Sequence, residues 1–198
     1  MARKYEMRKR AERVDETRRR IVEAAVELHE QVGPARASLS AIAERAGVER
    51  QTYYRHFPDE RSLFSACSGL WIERNPLPDP GSWREIEAPQ DRLRHGLREI
   101  YAYYEDNAAM LSSVTRDAEV HALTQEMLSQ GLGAATTALS AALAAGWARD
   151  RKTRAAIDLA LSFNTWRSLV RESGLPAAQA AELMARLVLS ARPVSGRS

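Results

Sequence analysis

Residues 38–57, SLSAIAERAGVERQTYYRHF, decide how the first part of this 198-residue chain folds. Ser38 is a favourable helix N-cap, because its hydroxyl can accept a hydrogen bond from a free backbone N–H. The apolar side chains that follow recur at helical spacing, at Leu39, Ile42, Ala43 and Ala46. Gly47 can adopt the left-handed backbone that ends a helix, and a more polar helix follows over about residues 49–57. The pattern predicts a helix-turn-helix.

The second of these helices has side chains that suit DNA reading. A helix in the major groove needs flexible polar side chains near its N-terminus for base edges, and hydroxyl or cationic groups beside them for phosphates. Arginine pairs with guanine and glutamine with adenine. One tyrosine of the adjacent pair should direct its hydroxyl to a phosphate while the other packs inward. The residues that carry this prediction are Arg50, Gln51, Thr52, Tyr53, Tyr54 and His56.

A longer stretch around this motif resembles a known family. Residues 19–33, RRIVEAAVELHEQVG, precede the motif, and residues 38–64 carry the patterns I-A-x-x-A-G-V and T-x-Y-x-H-F-P. Over residues 17–72 the chain is similar to the DNA-binding domain of the TetR family of one-component transcriptional regulators. The DNA contacts that the resemblance implies are Thr52, Tyr54 and His56, with Arg50 and Gln51 as candidates for reading bases.

The chain departs from the usual pattern of that family at three places. Gln51 stands where glycine is frequent, so its base contacts would reach further. Tyr53 replaces a frequent leucine, which leaves open which tyrosine faces DNA. The phosphate-binding lysine that the family often has at the start of the fourth helix is missing, because residues 59–61 are Asp-Glu-Arg. Arg61 is the candidate substitute, and Ser38 completes the set of candidate DNA contacts.

Positive charge is concentrated at the N-terminus. The formal net charge of the chain is +3, whereas residues 1–20 alone hold nine basic against four acidic side chains. We interpret residues 1–14 as a basic arm that attracts the phosphate backbone and adds little sequence information. The alternative interpretation is a solvated, partly disordered terminus.

Composition excludes several classes of protein. No apolar run approaches the ~18 residues of a membrane span, and the first 20 residues are too charged for a signal peptide. A single cysteine, Cys67, excludes a disulfide framework, so we expect a cytoplasmic protein with no membrane partner. Cys67 either senses thiol-reactive compounds or is a small buried hydrophobe. The four histidines are dispersed and no nucleophile–base pair is visible, so we predict no metal, no cofactor and no enzymatic activity.

Helical periodicity continues through the rest of the chain, without the alternation typical of a strand. Residues 75–83, NPLPDPGSW, predict a loop that separates two domains. We therefore predict an all-α fold with a helix-turn-helix DNA-binding domain at residues 15–74. A helical effector-binding and dimerisation domain should occupy residues 75–198. Its expected helices span about residues 89–106, 107–115, 117–146, 152–173 and 177–192.

The resemblance implies that the second domain dimerises and binds a small-molecule effector. The candidates for dimerisation are Ile157, Leu161, Leu169, Leu183 and Leu187. The candidates for an effector pocket are large or soft residues and one histidine: Trp71, Tyr101, Tyr104, Met110, Val114, His121, Phe163 and Trp166. Each of these is otherwise an ordinary core residue. An aromatic lining predicts a hydrophobic effector.

These observations predict a ligand-responsive transcriptional regulator. We expect a homodimeric repressor that binds a palindromic operator in double-stranded DNA and is released by the effector. A symmetric dimer would set its two recognition helices ~34 Å apart, or at a multiple of that distance. The alternatives are a ligand-independent DNA-binding protein or activator, and an enzyme or protein-interaction module with a vestigial DNA reader.

Overall fold

The structure, a computed structural model, describes residues 2–147 and 150–191. Every regular element in these two ranges is helical, which confirms the predicted all-α fold. The first helices are α1 (Ala2–Gln31), α2 (Leu39–Arg45), α3 (Arg50–His56) and α4 (Glu60–Arg74). The middle helices are α5 (Pro80–Trp83), α6 (Pro89–Asp106), α7 (Ala108–Asp117) and α8 (Ala122–Leu143). The last are α9 (Arg151–Ala160), α10 (Phe163–Trp166), which continues as a π-helix over Arg167–Glu172, and α11 (Ala177–Ser190).

These helices group into two compact units. The first unit holds the described residues up to Pro76 together with Ala109–Ser129, and the second holds Leu77–Ala108 and the described residues from Gln130 onward. The boundary expected near residue 75 lies close to the point where the chain first leaves the first unit. The return of residues 109–129 to that unit was not predicted. Apolar spacing shows that one face of a helix is buried but does not show which neighbour covers it.

Helix α1 contains the expected basic arm. The helix runs without a break from Ala2 to Gln31, and the side chains of residues 5–16 are exposed. From Ile21 onward the same helix buries one face, on which Ile21 and Ala25 are fully inaccessible. The arm is therefore a helical extension of the element that anchors the first unit.

The core of the first unit holds α3 in place. Helix α1 packs against α2 and α4, and α2 packs against α3. The most deeply buried side chains of this core are Ile21, Ala25, Ile42, Ala43, Tyr53, Phe57, Leu63 and Cys67. Burial of each large apolar side chain contributes roughly 1.5–3 kcal/mol, so the orientation of α3 is fixed by packing on its inner side.

Polar side chains at the end of α7 fix the loop that follows α1. The Asp117 carboxylate, which is almost fully buried, accepts a hydrogen bond from the backbone N–H of Ala35 at 2.9 Å. Arg116 donates to Asp117 at 2.7 Å and to the carbonyl of Val32 at 2.9 Å. Residues 109–129 are thus joined to the loop between α1 and α2 by charge-assisted hydrogen bonds.

Helix α6 lies at the centre of the second unit, where it packs against α5, α10 and α11. Its side chains Leu97 and Ile100 are fully buried. Trp83 at the end of α5 is also fully buried, and its indole N–H donates to Glu99 at 2.5 Å. The segment predicted to be only a linking loop therefore includes a short helix that supplies part of the core.

The helix predicted over residues 152–173 is interrupted at residues 161–162. Carbonyl groups at a helix end lack intrahelical partners. Here the carbonyl of Ala160 accepts from the hydroxyl of Tyr101 at 3.1 Å, and that of Leu161 accepts from Tyr104 at 2.5 Å. These two tyrosines of α6 thereby stabilise the break. The helix predicted over residues 117–146 begins only at Ala122.

Candidate nucleic-acid interface

Helix α3 has one buried face and one exposed face. Tyr53 and Phe57 lie in the core of the first unit, with 3% and 0% of their surfaces exposed. The exposed face is formed by Arg50, Gln51, Tyr54 and Arg55, with Thr52 half-buried beside them. Tyr53, one of the candidate DNA contacts, is therefore a core residue, because its ring fills the space between α3 and the helices behind it. Tyr54 is the tyrosine available to a partner.

The turn before α3 follows from the sequence. Gly47 has φ +64°, a left-handed conformation that glycine adopts without a steric penalty. At the start of α2 the Ser38 hydroxyl accepts a hydrogen bond from the N–H of Ala41 at 3.2 Å, as expected of an N-cap. Ser38 is exposed, so its side chain lies at the surface while it caps the helix.

An arginine of α1 lies against the C-terminal end of α3, the helix that carries the candidate DNA contacts. Arg18 donates to the backbone carbonyl of His56 at 3.0 Å, and its guanidinium lies 4.2 Å from the ring centroid of Phe57. The Nε2 atom of His56 is buried and has no hydrogen-bond partner among the described residues. Burial, with the nearby Arg55 and Arg18 charges, lowers the pKa of His56. Sequence reasoning missed Arg18, because a single arginine in a charged helix gives no signal of its own.

Arg61, the candidate phosphate contact, is engaged by a carboxylate. Its two terminal nitrogens donate to the two carboxylate oxygens of Glu126, both at 2.7 Å. A second pair lies beside it, in which Nε2 of His121 is 3.4 Å from a carboxylate oxygen of Glu60. No sequence pattern could have revealed these pairs, since Arg61 and Glu126 are 65 positions apart.

Cys67 lies in the core of the first unit. Its thiol is 3.5 Å from Nδ1 of His29, and both residues are buried. Burial raises the pKa of the Cys67 thiol to about 12 and lowers the pKa of His29 to about 4. A thiol that stays protonated at neutral pH is a poor nucleophile, so the environment of Cys67 is that of a small buried hydrophobe.

The eight candidate effector residues divide equally between the two units. Trp71, Met110, Val114 and His121 belong to the first, and Tyr101, Tyr104, Phe163 and Trp166 belong to the second. The imidazole of His121 is near the Thr124 hydroxyl, with 2.7 Å between Nδ1 and Oγ1. His121 thus has a polar partner within the first unit.

The second-unit candidates form an aromatic cluster. The ring centroid of Tyr104 lies 5.4 Å from that of Phe163 and 6.1 Å from that of Trp166, and the Phe163 and Trp166 rings stack at 5.2 Å. Burial raises the pKa of both Tyr101 and Tyr104. The indole N–H of Trp166 is buried and has no acceptor within the described part of the chain. Such a donor is a possible anchor for a ligand, since an unsatisfied buried N–H is costly.

The structure separates the five dimerisation candidates. Ile157 and Leu161 have 0% and 1% of their surfaces exposed, because they face the core of the second unit. They are therefore core residues and cannot be contact residues of a dimer in this conformation. Leu169 and Leu183 are half-buried, and Leu187 is 50% exposed. Only the last three candidates have surface available to a second copy.

Two further properties of the described residues bear on partners. None of the helices in residues 2–147 and 150–191 is long and apolar enough to cross a membrane. Within the same residues no three His, Cys, Asp or Glu side chains come together as a potential metal site.

The candidate DNA-contact residues fall within a region that is similar to known regulators. Residues 21–67 match the family described as bacterial regulatory proteins, tetR family. The chain is 38% identical over 86 residues to the HTH-type transcriptional regulator SrpR of Pseudomonas putida, a match that covers 41% of this chain and 39% of SrpR. It is 43% identical over 58 residues to the HTH-type transcriptional regulator AcrR of Shigella flexneri, covering 29% of this chain and 27% of AcrR. The matches span less than half of either relative.

The structural likeness extends further along the chain. The crystal structure of the transcriptional regulator FadR from Bacillus subtilis, in complex with stearoyl-CoA, matches with a TM-score of 0.53. The match covers 87% of this chain and 97% of FadR at 21% identity, so it shows a shared fold. The family match thus falls on residues 21–67, which include α3 and the helices that position it, and those residues are similar to the tetR family of bacterial regulatory proteins. The fold shared with FadR reaches well beyond them.

Proposed function

We propose that the protein is a homodimeric repressor that binds a palindromic operator through α3 and is released by a hydrophobic small molecule. The observation that carries the proposal is the division of α3 into a buried face, anchored by Tyr53 and Phe57, and an exposed polar face. A helix held in this way presents its polar side chains in a fixed geometry, which sequence-specific readout requires.

Selection of DNA fragments tests the DNA-binding part of the proposal. The purified full chain is incubated with fragmented DNA from its own source at about 150 mM salt, and the retained fragments are sequenced. We expect enrichment of a palindrome whose half-sites are one helical turn apart, or a multiple of it. Retention of fragments without a shared sequence would contradict an operator-specific regulator and would favour a nucleoid-type binder.

Base reading is assigned to the start of α3. Gln51 is exposed there, and a glutamine side chain can make paired hydrogen bonds with adenine. Gln51→Ala should lower the preference for the selected operator over a variant at one base pair by roughly tenfold. Binding to random-sequence DNA should change less than twofold. Lys152→Ala, which removes an exposed side chain of α9, is the control and should alter neither quantity.

Dimerisation is assigned to the exposed apolar surface of α11 around Leu187. A leucine that is 50% exposed gains free energy when a second copy covers it. Leu187→Asp should convert the dimer to a monomer in light scattering and weaken operator binding, because the two half-sites would then be bound independently. Val120→Asp is the matched control, since Val120 is 82% exposed on the first unit. A monomeric wild-type chain would refute the homodimer.

The effector site is assigned to the aromatic cluster of Tyr104, Phe163 and Trp166. Its rings are apolar and packed on one another, and the buried Trp166 N–H has no acceptor among the described residues, so a ligand acceptor could satisfy it. The stearoyl-CoA in the FadR complex makes acyl-CoA thioesters one class to test, beside aromatic compounds. Thermal shift with both classes should identify a stabilising ligand, and Trp166→Phe should reduce that shift. Stabilisation by polar metabolites alone would contradict a hydrophobic effector.

The sign of regulation is tested in cells with a reporter whose promoter overlaps the selected operator. Repression predicts low expression in the presence of the protein and high expression when the effector is added. The opposite response to the protein would identify an activator. Repression that no ligand relieves would identify a ligand-independent regulator.

A further inference from the structure

Arg61 and Glu126 form a bidentate pair that has the geometry of an arginine–phosphate contact. Both nitrogen–oxygen distances are 2.7 Å, and the two residues come from different helices, Arg61 from the first turn of α4 and Glu126 from α8. The planar guanidinium grips carboxylates and phosphates in the same two-pronged way. The carboxylate of Glu126 therefore occupies the donors that a DNA phosphate would use.

The Arg61–Glu126 pair lies close to α3, the helix that carries the candidate DNA contacts. Helix α4 begins at Glu60, four residues after α3 ends at His56. The charges of Glu60 and Asp59 contribute, after burial, to the raised pKa of Tyr53, so the start of α4 lies electrostatically close to α3. Arg61 is half exposed, with 55% of its side chain accessible to solvent. It is thus a cation near the DNA-reading surface whose hydrogen bonds already serve another group.

The charge balance at this place opposes DNA. Asp59, Glu60 and Glu126 are acidic, and Arg61 carries the single positive charge of residues 59–62. While Glu126 holds Arg61, the start of α4 presents net negative charge to an approaching phosphate backbone. Movement of Glu126 away from Arg61 would remove one of these three negative charges and would free the two guanidinium donors for a phosphate.

We propose that Glu126 limits DNA affinity by occupying Arg61 in the free protein, and that a backbone phosphate replaces it in the complex. This inference rests on the proposed DNA-binding function. Under this proposal the position of Glu126 on α8 sets the DNA affinity of the protein. Helix α8 begins in the first unit, where Glu126 lies, and its residues 130–143 belong to the second. Any change that moves Glu126 away from α4 would free Arg61.

A double-mutant cycle tests the exchange, with the full chain and a random-sequence duplex as the probe. Glu126→Gln keeps the shape of the side chain and removes its charge, and should tighten binding about fivefold at about 50 mM salt. Arg61→Ala should weaken binding and reduce the slope of log affinity against log salt by about 0.9, the value of one phosphate contact. In the Arg61→Ala background, Glu126→Gln should have no effect.

The control for a general charge effect is Glu119→Gln, an exposed residue of the same unit, which should change affinity less than twofold. An equal gain from Glu126→Gln with and without Arg61 would overturn the exchange, since the gain would then come from net charge alone. Weaker or unchanged binding by Glu126→Gln would also overturn it, by assigning the pair a purely structural role. Failure of the wild-type chain to bind any duplex would refute the proposed function, and the exchange with it. Normal wild-type binding with no gain in Glu126→Gln would refute the exchange alone.

Discussion

Helices α3 and α6 each carry a pair of tyrosines, but the structure places the side chains of the two pairs differently. On α3 the two adjacent tyrosines divide, Tyr53 into the core and Tyr54 to the surface. On α6 the hydroxyls of Tyr101 and Tyr104 both turn inward and bond the carbonyls at the end of α9. The motif on α3 predicts that one of its two tyrosines packs inward, and the structure shows that this is Tyr53. The apolar spacing of α6 gives no such prediction for Tyr101 and Tyr104, because the carbonyls that their hydroxyls bond lie 59 and 57 positions away along the chain.

The largest expected effect concerns the loop that follows α1, which Arg116 and Asp117 hold in place. Gly33 has φ +94°, and a Cβ atom there would lie 2.2 Å from both Nη2 of Arg116 and Oδ2 of Asp117. Gly33→Ala should lower the free energy of unfolding by about 3 kcal/mol, because it combines backbone strain with a clash against a buried carboxylate. Urea unfolding followed by circular dichroism measures this. Gly69→Ala, on α4 with open space around it, should instead stabilise by about 0.5–1 kcal/mol, and equal losses from both would contradict the tight fit of the loop.

The next prediction concerns how the free energy of unfolding depends on pH, through the buried His29 in the core of the first unit. Burial lowers the pKa of His29 from 6.5 to about 4, so the unfolded chain takes up this proton before the folded one does as the pH falls. The contribution of neutral His29 to the free energy of unfolding is therefore fully present above about pH 6.5, and it is lost progressively as the pH falls to about 4. At pH 5 the loss should be roughly 2 kcal/mol. The free energy of unfolding between pH 7 and pH 5 should fall less in His29→Gln than in the wild type. A fall of the same size in His29→Gln and in the wild type would contradict this role of His29.

A smaller effect tests the inward role of the second-unit tyrosines. Tyr104→Phe removes the hydroxyl that bonds the Leu161 carbonyl and leaves that group without this partner. The expected loss of unfolding free energy is about 1–2 kcal/mol. Tyr54→Phe, on the surface of α3, should cost less than about 0.5 kcal/mol. Similar stabilities of the two variants would show that the hydroxyl of Tyr104 does not support the end of α9.

The smallest effect concerns DNA. Tyr54→Phe removes an exposed hydroxyl assigned to a phosphate, so affinity for operator and random DNA should both fall about fivefold. Tyr53→Phe changes a core residue, so it should alter DNA affinity less than twofold. Its unfolding temperature should be the same as that of the wild type. Fluorescence anisotropy with a labelled duplex measures both. A larger loss of affinity in Tyr53→Phe would reverse the assignment of the two tyrosines.

Sequence predictions agree with the structure where they depend on neighbouring residues, and they fail where they depend on residues far apart in the chain. The N-cap at Ser38, the turn at Gly47 and the extent of α6 all depend on neighbouring residues, and the structure agrees with each prediction. Ile157 and Leu161 were assigned to a dimer because they are apolar at helical spacing, yet they are core residues. Helical spacing defines a buried face without distinguishing the chain's own core from a partner's surface.

Sequence by itself determined that the chain is helical, that residues 38–57 form a helix-turn-helix, and that the second of its helices has polar side chains suited to DNA. These properties depend on backbone preferences and side-chain chemistry over a few turns, which neighbouring residues set. Tertiary structure alone decided that Tyr53 is buried, that Arg61 is held by Glu126 and that residues 109–129 return to the first unit. Those outcomes join residues far apart in the chain, where packing and charge select one arrangement among many that the local pattern permits.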